Sequence, residues 1–183
     1  SIDTVTGVHT LIFSMTGIPL ASLTGLTWDG TTVYGVATNM TQSQLVTINM
    51  TTGVNTPVGT ASTVCAGAIS VSGRKDYRNG LFVIDIVGDN LFRVNKTTGA
   101  FTIIGPLGVD ANFGQDAQFD NNDGKLYWIA YTAGLELRRI DTGSGTASVI
   151  LCSYTSQGTG IAMRDVIYTP PGGPVYTACR DVN

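Results

Sequence analysis

Short apolar runs bounded by turn residues recur along the whole chain, and they predict β-strands. Three of these runs are Leu45–Ile48, Leu91–Val94 and Leu137–Ile140. An Asp-Gly pair at 29–30 and an Asn-Gly pair at 79–80 precede further runs, and such pairs are typical of hairpin turns. No segment has the period of an amphipathic helix. The pattern therefore predicts an all-β fold.

One turn motif returns four times at a fixed spacing of 46 residues. Its copies begin at Ile2, Ile48, Val94 and Ile140, and each reads apolar, Asp or Asn, two spacers, Thr or Ser, Gly. In such a turn the Asx and hydroxyl side chains bond the nearby backbone, and the glycine takes a positive φ. A repeat of this length predicts a β-propeller or a stacked β array.

Each repeat is predicted to hold four antiparallel strands in one order. An inner strand rich in small residues comes first, then an aromatic-bearing strand, the strand before the turn motif, and an outer strand. The predicted outer strands cover residues 10–13, 56–58, 102–104 and 148–150. The chain thus divides into propeller-like units at about residues 14–59, 60–105, 106–151, and 152–183 together with 1–13, all within one domain.

The N-terminal residues have the character of the strands that the last unit lacks. The last predicted strand, residues 175–178, is followed by no strand before a turn motif and by no outer strand. Val8, Leu11, Ile12 and Phe13 match outer-strand positions of the other units. We therefore predict that this assembly strand completes the last blade, either in the same chain or in a neighbouring subunit, which would make the protein self-associate.

The short apolar strand followed by Asp-x-x-Thr-Gly resembles the repeats of quinoprotein-type and related bacterial β-propellers. The resemblance covers nearly the whole chain and implies the fold. Quinoprotein repeats carry a docking Trp a few residues after the glycine, but residues 8–13, 54–59, 100–105 and 146–151 contain none. A quinone cofactor is therefore not implied.

The composition limits the classes of partner that this protein is expected to bind. Charged residues make up only 13% of the chain and the net charge is −3, which argues against nucleic acid or an anionic membrane surface. No apolar run is long enough to span a membrane. All ten basic residues lie from Arg74 onward, and only Asp3 and Asp29 are charged before it. That neutral half is either a Thr-covered surface or a face covered by a partner or by glycans.

Three N-glycosylation sequons are present, at Asn39, Asn49 and Asn95. Asn49 and Asn95 occupy the same position of the repeated turn, which is expected to face solvent. The alternative is that each asparagine only caps its turn.

The chain has three cysteines, Cys65, Cys152 and Cys179, without the Cys-x-x-Cys spacing of a zinc site. In an oxidising compartment one pair is expected to close, and Cys152–Cys179 is the preferred pair. The alternative is a set of buried free thiols.

Oxygen-bearing side chains are dense around residues 120–124. Asp120, Asn122 and Asp123 fit a calcium site, although the distal Glu of an EF-hand loop is missing. An Asp-Gly hairpin accounts for the same residues without a metal. We expect no other cofactor.

Catalysis has little support in this sequence. His9 and Glu136 are the single histidine and the single glutamate, and no Gly-x-Ser-x-Gly elbow is present. We expect a secreted, extracellular, non-enzymatic structural or adhesive module, such as the glycosylated subunit of a filament. The alternative is a carbohydrate-binding, lectin-like propeller in which Phe113, Tyr131 and Tyr154 stack on sugars. An enzyme is the third interpretation.

Overall fold

A computed structural model describes residues 1–71, 80–112, 115–120, 123–148, 152–155 and 160–161. Twelve strands form among them, and none of these residues is helical. The strands are β1 (Ser22–Trp28), β2 (Val33–Thr38), β3 (Ser43–Ile48), β4 (Asn55–Ser62), β5 (Ala66–Val71), β6 (Leu81–Asp85), β7 (Asn90–Val94), β8 (Phe101–Pro106), β9 (Asp116–Asp120), β10 (Lys125–Tyr131), β11 (Leu135–Ile140) and β12 (Cys152–Tyr154). The described segments contain no helix of the length and apolarity that crossing a membrane requires.

The twelve strands make three antiparallel sheets of four strands, each in sequence order. The first sheet is β1 to β4, the second β5 to β8, and the third β9 to β12. The inner strand β1 packs against β5, and β5 packs against β9, so the sheets follow one another around their inner edges. This is the strand order that the sequence predicts for three of its four units. The inner and aromatic strands predicted for the last unit, at 160–163 and 175–178, lie almost entirely outside the described residues.

One of the predicted outer strands needs correction. Residues 10–13 form no strand, and the pairing within this segment is limited to the bridge between Ile2 and His9.

In the third sheet the predicted outer strand 148–150 is only partly described. Ala147 forms a bridge with Ile140, and the Ser148 amide donates to the Arg139 carbonyl at 2.7 Å, so the described start of this segment lies beside β11. Residues 149–151 lie outside the described residues, and β12 pairs with β11 from Cys152 to Tyr154.

The core lies between the sheets. Tyr34, Val36 and Leu45 of the first sheet pack against a buried apolar face of the second, which holds Ile69, Leu81, Val83 and Val94. The opposite face of the second sheet packs on the third through Phe82, Ile84, Leu91, Phe119, Leu126 and Trp128. Because the second sheet is buried on both faces, its strand β6 is apolar at four consecutive positions and buried throughout.

The first sheet packs on the second through one face, and its other face, called the outer face here, is only partly covered. Its small core of Ala37, Val46 and Ile48 is flanked by Ile18 and Leu20 from the segment before β1. Farther along the inner strand of the same sheet, Leu26 and Trp28 are 52% and 64% exposed. This face is therefore open towards the position that a further blade would take.

Candidate functional site

The four turn motifs share one hydrogen-bond pattern. In the copy at Asn49, Oδ1 accepts the amides of Thr51 and Thr52 at 2.9 and 3.0 Å, and the Gly53 amide donates to the Asn49 carbonyl. Asp3, Asn95 and Asp141 make the same bonds at their own positions, and the four glycines all have φ near +70° to +86°. At Asp3 the amides of Thr6 and Val5 lower the pKa of the carboxyl. Asp and Asn therefore make the same hydrogen bonds in this turn.

Both sequon asparagines of the motif are exposed. Among the side-chain atoms of Asn49 and Asn95, Oδ1 makes the turn bonds, so Nδ2 is not needed for the turn. Asn39 is also exposed, and its Oδ1 caps a separate turn through the Thr41 and Gln42 amides. A sugar on Nδ2 leaves Oδ1 in place, so glycosylation and capping are compatible at all three positions.

The first turn motif forms a small hairpin that stands apart from the three sheets. Ser1 and Thr10 exchange backbone hydrogen bonds of 2.7 and 2.8 Å, and the Asp3 amide donates to Val8. Most of its apolar side chains are exposed: Ile2 70%, Val5 93%, Val8 62%, Leu11 78% and Ile12 66%. Soluble surfaces seldom expose such a group together, so this N-terminal hairpin is a candidate interaction surface.

The segment that follows the N-terminal hairpin packs on the first sheet in the same way as each sheet packs on the next one. Gly59 meets the turn at Gly99, and Gly105 meets the turn at Gly145, each pair lying 40 residues apart. Phe13 meets the turn at Gly53 with the same separation, and the neighbouring Ser14 carbonyl also contacts Gly53.

A short ladder fixes this docking. The Thr16 amide donates to Gly53, and the Thr16 carbonyl accepts from the Asn55 amide at 2.8 Å. Of the four predicted assembly residues, Phe13 is therefore half-buried against the first sheet, while Val8, Leu11 and Ile12 remain exposed. Residues 1–17 thus take the place of the outer half of a blade beside the first sheet.

An ion pair joins the first two sheets at the turn end. Lys96 Nζ lies 2.6 Å from Asp29 Oδ2 and 5.5 Å from the centre of the Tyr34 ring. Burial opposes ionisation of Asp29, but the Lys96 ammonium and the amides of Thr32 and Thr31 outweigh it and hold its pKa well below the usual range. Lys96 sits within the repeated turn, so this turn contacts the hairpin of the preceding sheet.

Neutralising Asp29 is expected to lower stability in a pH-dependent way. Asp29→Asn should cost about 1.5–3 kcal/mol at neutral pH, the usual range for hydrogen bonds to charged groups. Since the folded-state pKa is lowered, the stabilisation is complete above the unfolded pKa of about 4 and is lost as the pH falls below it. Urea unfolding at several pH values should therefore show the variant and the wild type converging in acid. Asp110→Asn, at an exposed carboxyl, is the control, and a constant difference at every pH would contradict the assignment.

Only one of the three cysteines, Cys65, has a described side chain. Cys65 is a buried free thiol at 3% exposure, and burial raises its pKa. Its own amide donates to Asp85 Oδ1 at 3.1 Å. Cys65 is therefore no disulfide partner in this structure. Cys179 and the side chain of Cys152 lie outside the described residues, so their pairing stays a prediction.

The residues proposed for calcium are only partly described. Asp123 accepts the Tyr127 hydroxyl at 2.9 Å through Oδ2 and the Lys125 amide through Oδ1, so its carboxylate serves the β9–β10 hairpin. The Asp120 carbonyl accepts the Gly124 amide, which closes the same turn. Asn122 lies outside the described residues. Within the described ranges, no three His, Cys, Asp or Glu side chains gather as metal ligands would.

Only one of the three aromatic residues predicted to stack on sugars has a described side chain. Tyr131 is half-buried, while Phe113 and the side chain of Tyr154 lie outside the described residues. Among the described residues, the exposed aromatic side chain is that of Trp28, which the sequence did not single out as a candidate. Its position at the last residue of β1, directly before the Asp-Gly turn, was the available signal.

No protein-family model and no curated protein matches this chain. Solved structures do resemble it. A nidogen/laminin complex is 16% identical over 76% of this chain and 51% of that chain, with a TM-score of 0.56. A structural genomics protein of unknown function from Bacteroides thetaiotaomicron is 20% identical over 73% and 33%, with a TM-score of 0.57. The computationally designed Ika4 protein is 16% identical over 86% and 89%, with a TM-score of 0.52.

The chain has a β-propeller fold. This confirms the fold that the repeated turn predicts. The propeller spans about half of the nidogen/laminin chain and a third of the Bacteroides protein that it matches. At these identities the likeness concerns the fold alone.

Proposed function

We propose that this propeller is a secreted, glycosylated, non-enzymatic subunit that self-associates into an extracellular filament or adhesive layer. The observation that carries the proposal is the exposed apolar N-terminal hairpin, which takes the position of half a blade. Its natural complement is the inner half of a blade, and we assign that part to the last unit of a second copy. Each subunit then donates a hairpin to the next, which is a head-to-tail contact that propagates.

The charge pattern supports association through this end of the chain. Up to Arg74 only Asp3 and Asp29 are charged, and Asp29 is already paired with Lys96. Few charges lose their hydration when a neutral surface is covered, so burial of the hairpin carries a small desolvation cost.

The remaining chemistry of the described residues supports a structural role. His9, the single histidine, lies exposed in the N-terminal hairpin, and Glu136, the single glutamate, pairs with Arg138 at 2.8 Å. An ion-paired glutamate and a histidine exposed to solvent lack the tuned environment that acid–base catalysis requires, which supports a non-catalytic role.

Charges on the N-terminal hairpin are expected to abolish association. In a Leu11→Lys, Ile12→Lys double variant, sedimentation over a range of concentrations should find only monomers. The melting temperature should be unchanged, because both side chains are exposed in the isolated chain. Val87→Lys, at an exposed valine in the turn between β6 and β7, is the matched control and should assemble normally. A double variant that assembles as the wild type does would refute the role of the hairpin.

Sugar is expected on Asn49 and Asn95 of native material. Peptide mass spectrometry should find both occupied, and Asn49→Asp and Asn95→Asp should each remove one glycan. The unglycosylated turns should lose less than about 0.5 kcal/mol, since Asp3 and Asp141 make the same bonds. Thr51→Ala removes the Asn49 sequon without changing the asparagine and should give the same loss of sugar as Asn49→Asp. If native protein carries no sugar on Asn49 and Asn95, the glycosylation in the proposed function is wrong.

A lectin-like role is the second candidate, and the exposure of Trp28 favours it. A lectin would remain monomeric at all concentrations and would bind soluble glycans, so the same sedimentation series separates the two functions.

A further inference from the structure

A groove of about 560 Å³ opens at the turn end of the first sheet. Its volume lies within the range of roughly 300–1,000 Å³ that is usual for ligand pockets. The residues that matter to its chemistry are Trp28, Thr31, Thr32, Asn49, Met50 and Thr56. The groove thus combines an indole face and a thioether with several hydroxyl groups, and a sequon asparagine lies in its wall.

Trp28 gives this groove an unusual lining. It is 64% exposed, whereas Trp128, the other tryptophan, is completely buried. An indole offers a flat apolar face, and the threonines beside it offer hydroxyl donors and acceptors. A pyranose ring has the complementary chemistry, with C–H groups on its faces and hydroxyl groups around its edge.

Asn49 is the attachment point for a sugar that would fill this groove. Asn49 Oδ1 is held by the Thr51 and Thr52 amides, so a sugar on Nδ2 starts at the wall of the groove without disturbing the turn. A tethered sugar also has a high effective concentration near the indole. We propose that the first sugar of a glycan on Asn49 packs against Trp28 in this groove. This inference rests on the glycosylation in the proposed function and adds the site where the sugar lies.

Asn95 provides an internal control. It stands at the same position of the next repeat and has the same turn bonds. The groove beside it, about 350 Å³, is lined by Arg93, Lys96, Thr97 and Thr102 and by no aromatic side chain of the described residues. A glycan on Asn95 therefore has no indole to cover.

The test measures acrylamide quenching of tryptophan fluorescence in the full chain, secreted from glycosylating cells. Mass spectrometry first establishes that Asn49 and Asn95 carry sugar. A Trp28→Phe variant gives the signal of the buried Trp128, which is subtracted. Quenching of Trp28 is expected to rise about twofold in Asn49→Asp, since a stacked sugar covers one of two indole faces. It should not change in Asn95→Asp.

Each other outcome overturns the proposal in a recognisable way. In one outcome, Asn49 carries sugar while Asn49→Asp and Asn95→Asp show equal quenching of Trp28. That result would show that the glycan does not cover the indole. If added free N-acetylglucosamine then shielded Trp28, the groove would belong to sugars of other molecules. Shielding of Trp28 in every variant would show that protein covers it, either a further segment of this chain or a second copy. Bare Asn49 in the mass spectrum would remove glycosylation itself, and only that outcome also contradicts the proposed function.

Discussion

Deleting residues 1–12 is expected to abolish self-association and to leave the propeller folded. Every strand of the three described sheets lies between Ser22 and Tyr154, so the deletion removes no strand. The cut also spares Phe13 and Ser14, which contact Gly53 and dock the segment on the first sheet. Light scattering of the truncated chain should therefore show monomers at every concentration, with a melting temperature close to that of the full-length monomer.

A synthetic peptide of residues 1–12 should bind the truncated chain, because the deletion leaves the accepting blade intact. A peptide with Leu11 and Ile12 replaced by lysine is the matched control and should not bind. If instead the truncated chain unfolds or aggregates, the hairpin completes a blade of its own chain, and the proposed exchange between subunits is wrong. Retention of both the assembly and the melting temperature would show that the hairpin completes nothing.

Replacing Gly99 by alanine is expected to cost several times more stability than the same change at Gly7. Both glycines occupy the same position of the repeated turn, with φ of +69° and +72°, so both substitutions bear a backbone cost of about 1 kcal/mol. A Cβ at Gly99 would also collide with the backbone carbonyl of Val58, whereas a Cβ at Gly7 meets nothing within 4 Å. Overpacking of this kind adds about 1–3 kcal/mol or more.

Urea unfolding of the two variants gives the comparison directly, and the expected difference in unfolding free energy is at least about 1–3 kcal/mol, the overpacking term alone. Gly145→Ala should behave like Gly99→Ala, because its Cβ would meet the backbone of Gly105. Equal losses at Gly7 and Gly99 would mean that the turns do not hold neighbouring sheets at the distance found here.

The sequence by itself determined the parts of this protein that depend on local chemistry. The turn at Asn49 to Gly53 needs only an Asx side chain, two nearby amides and a glycine with positive φ, and all of these lie within five residues. The strands on either side follow from short apolar runs, so the order of strands in the three sheets was predictable too. The exposure of Asn49 and Asn95 followed from their place in the turn.

Only the tertiary structure decided which residues from distant repeats meet. Lys96 and Asp29 are 67 residues apart and pair because a turn of the second sheet reaches the hairpin of the first. The separation of 40 residues between Gly53 and Phe13 appears in the sequence, but nothing local marks it as a contact. Trp28 is exposed because the outer face of the first sheet is only partly covered, and strand alternation cannot say which face is covered. Local hydrogen bonds are encoded by neighbours in the chain, whereas the burial of a side chain is set by the packing of whole sheets.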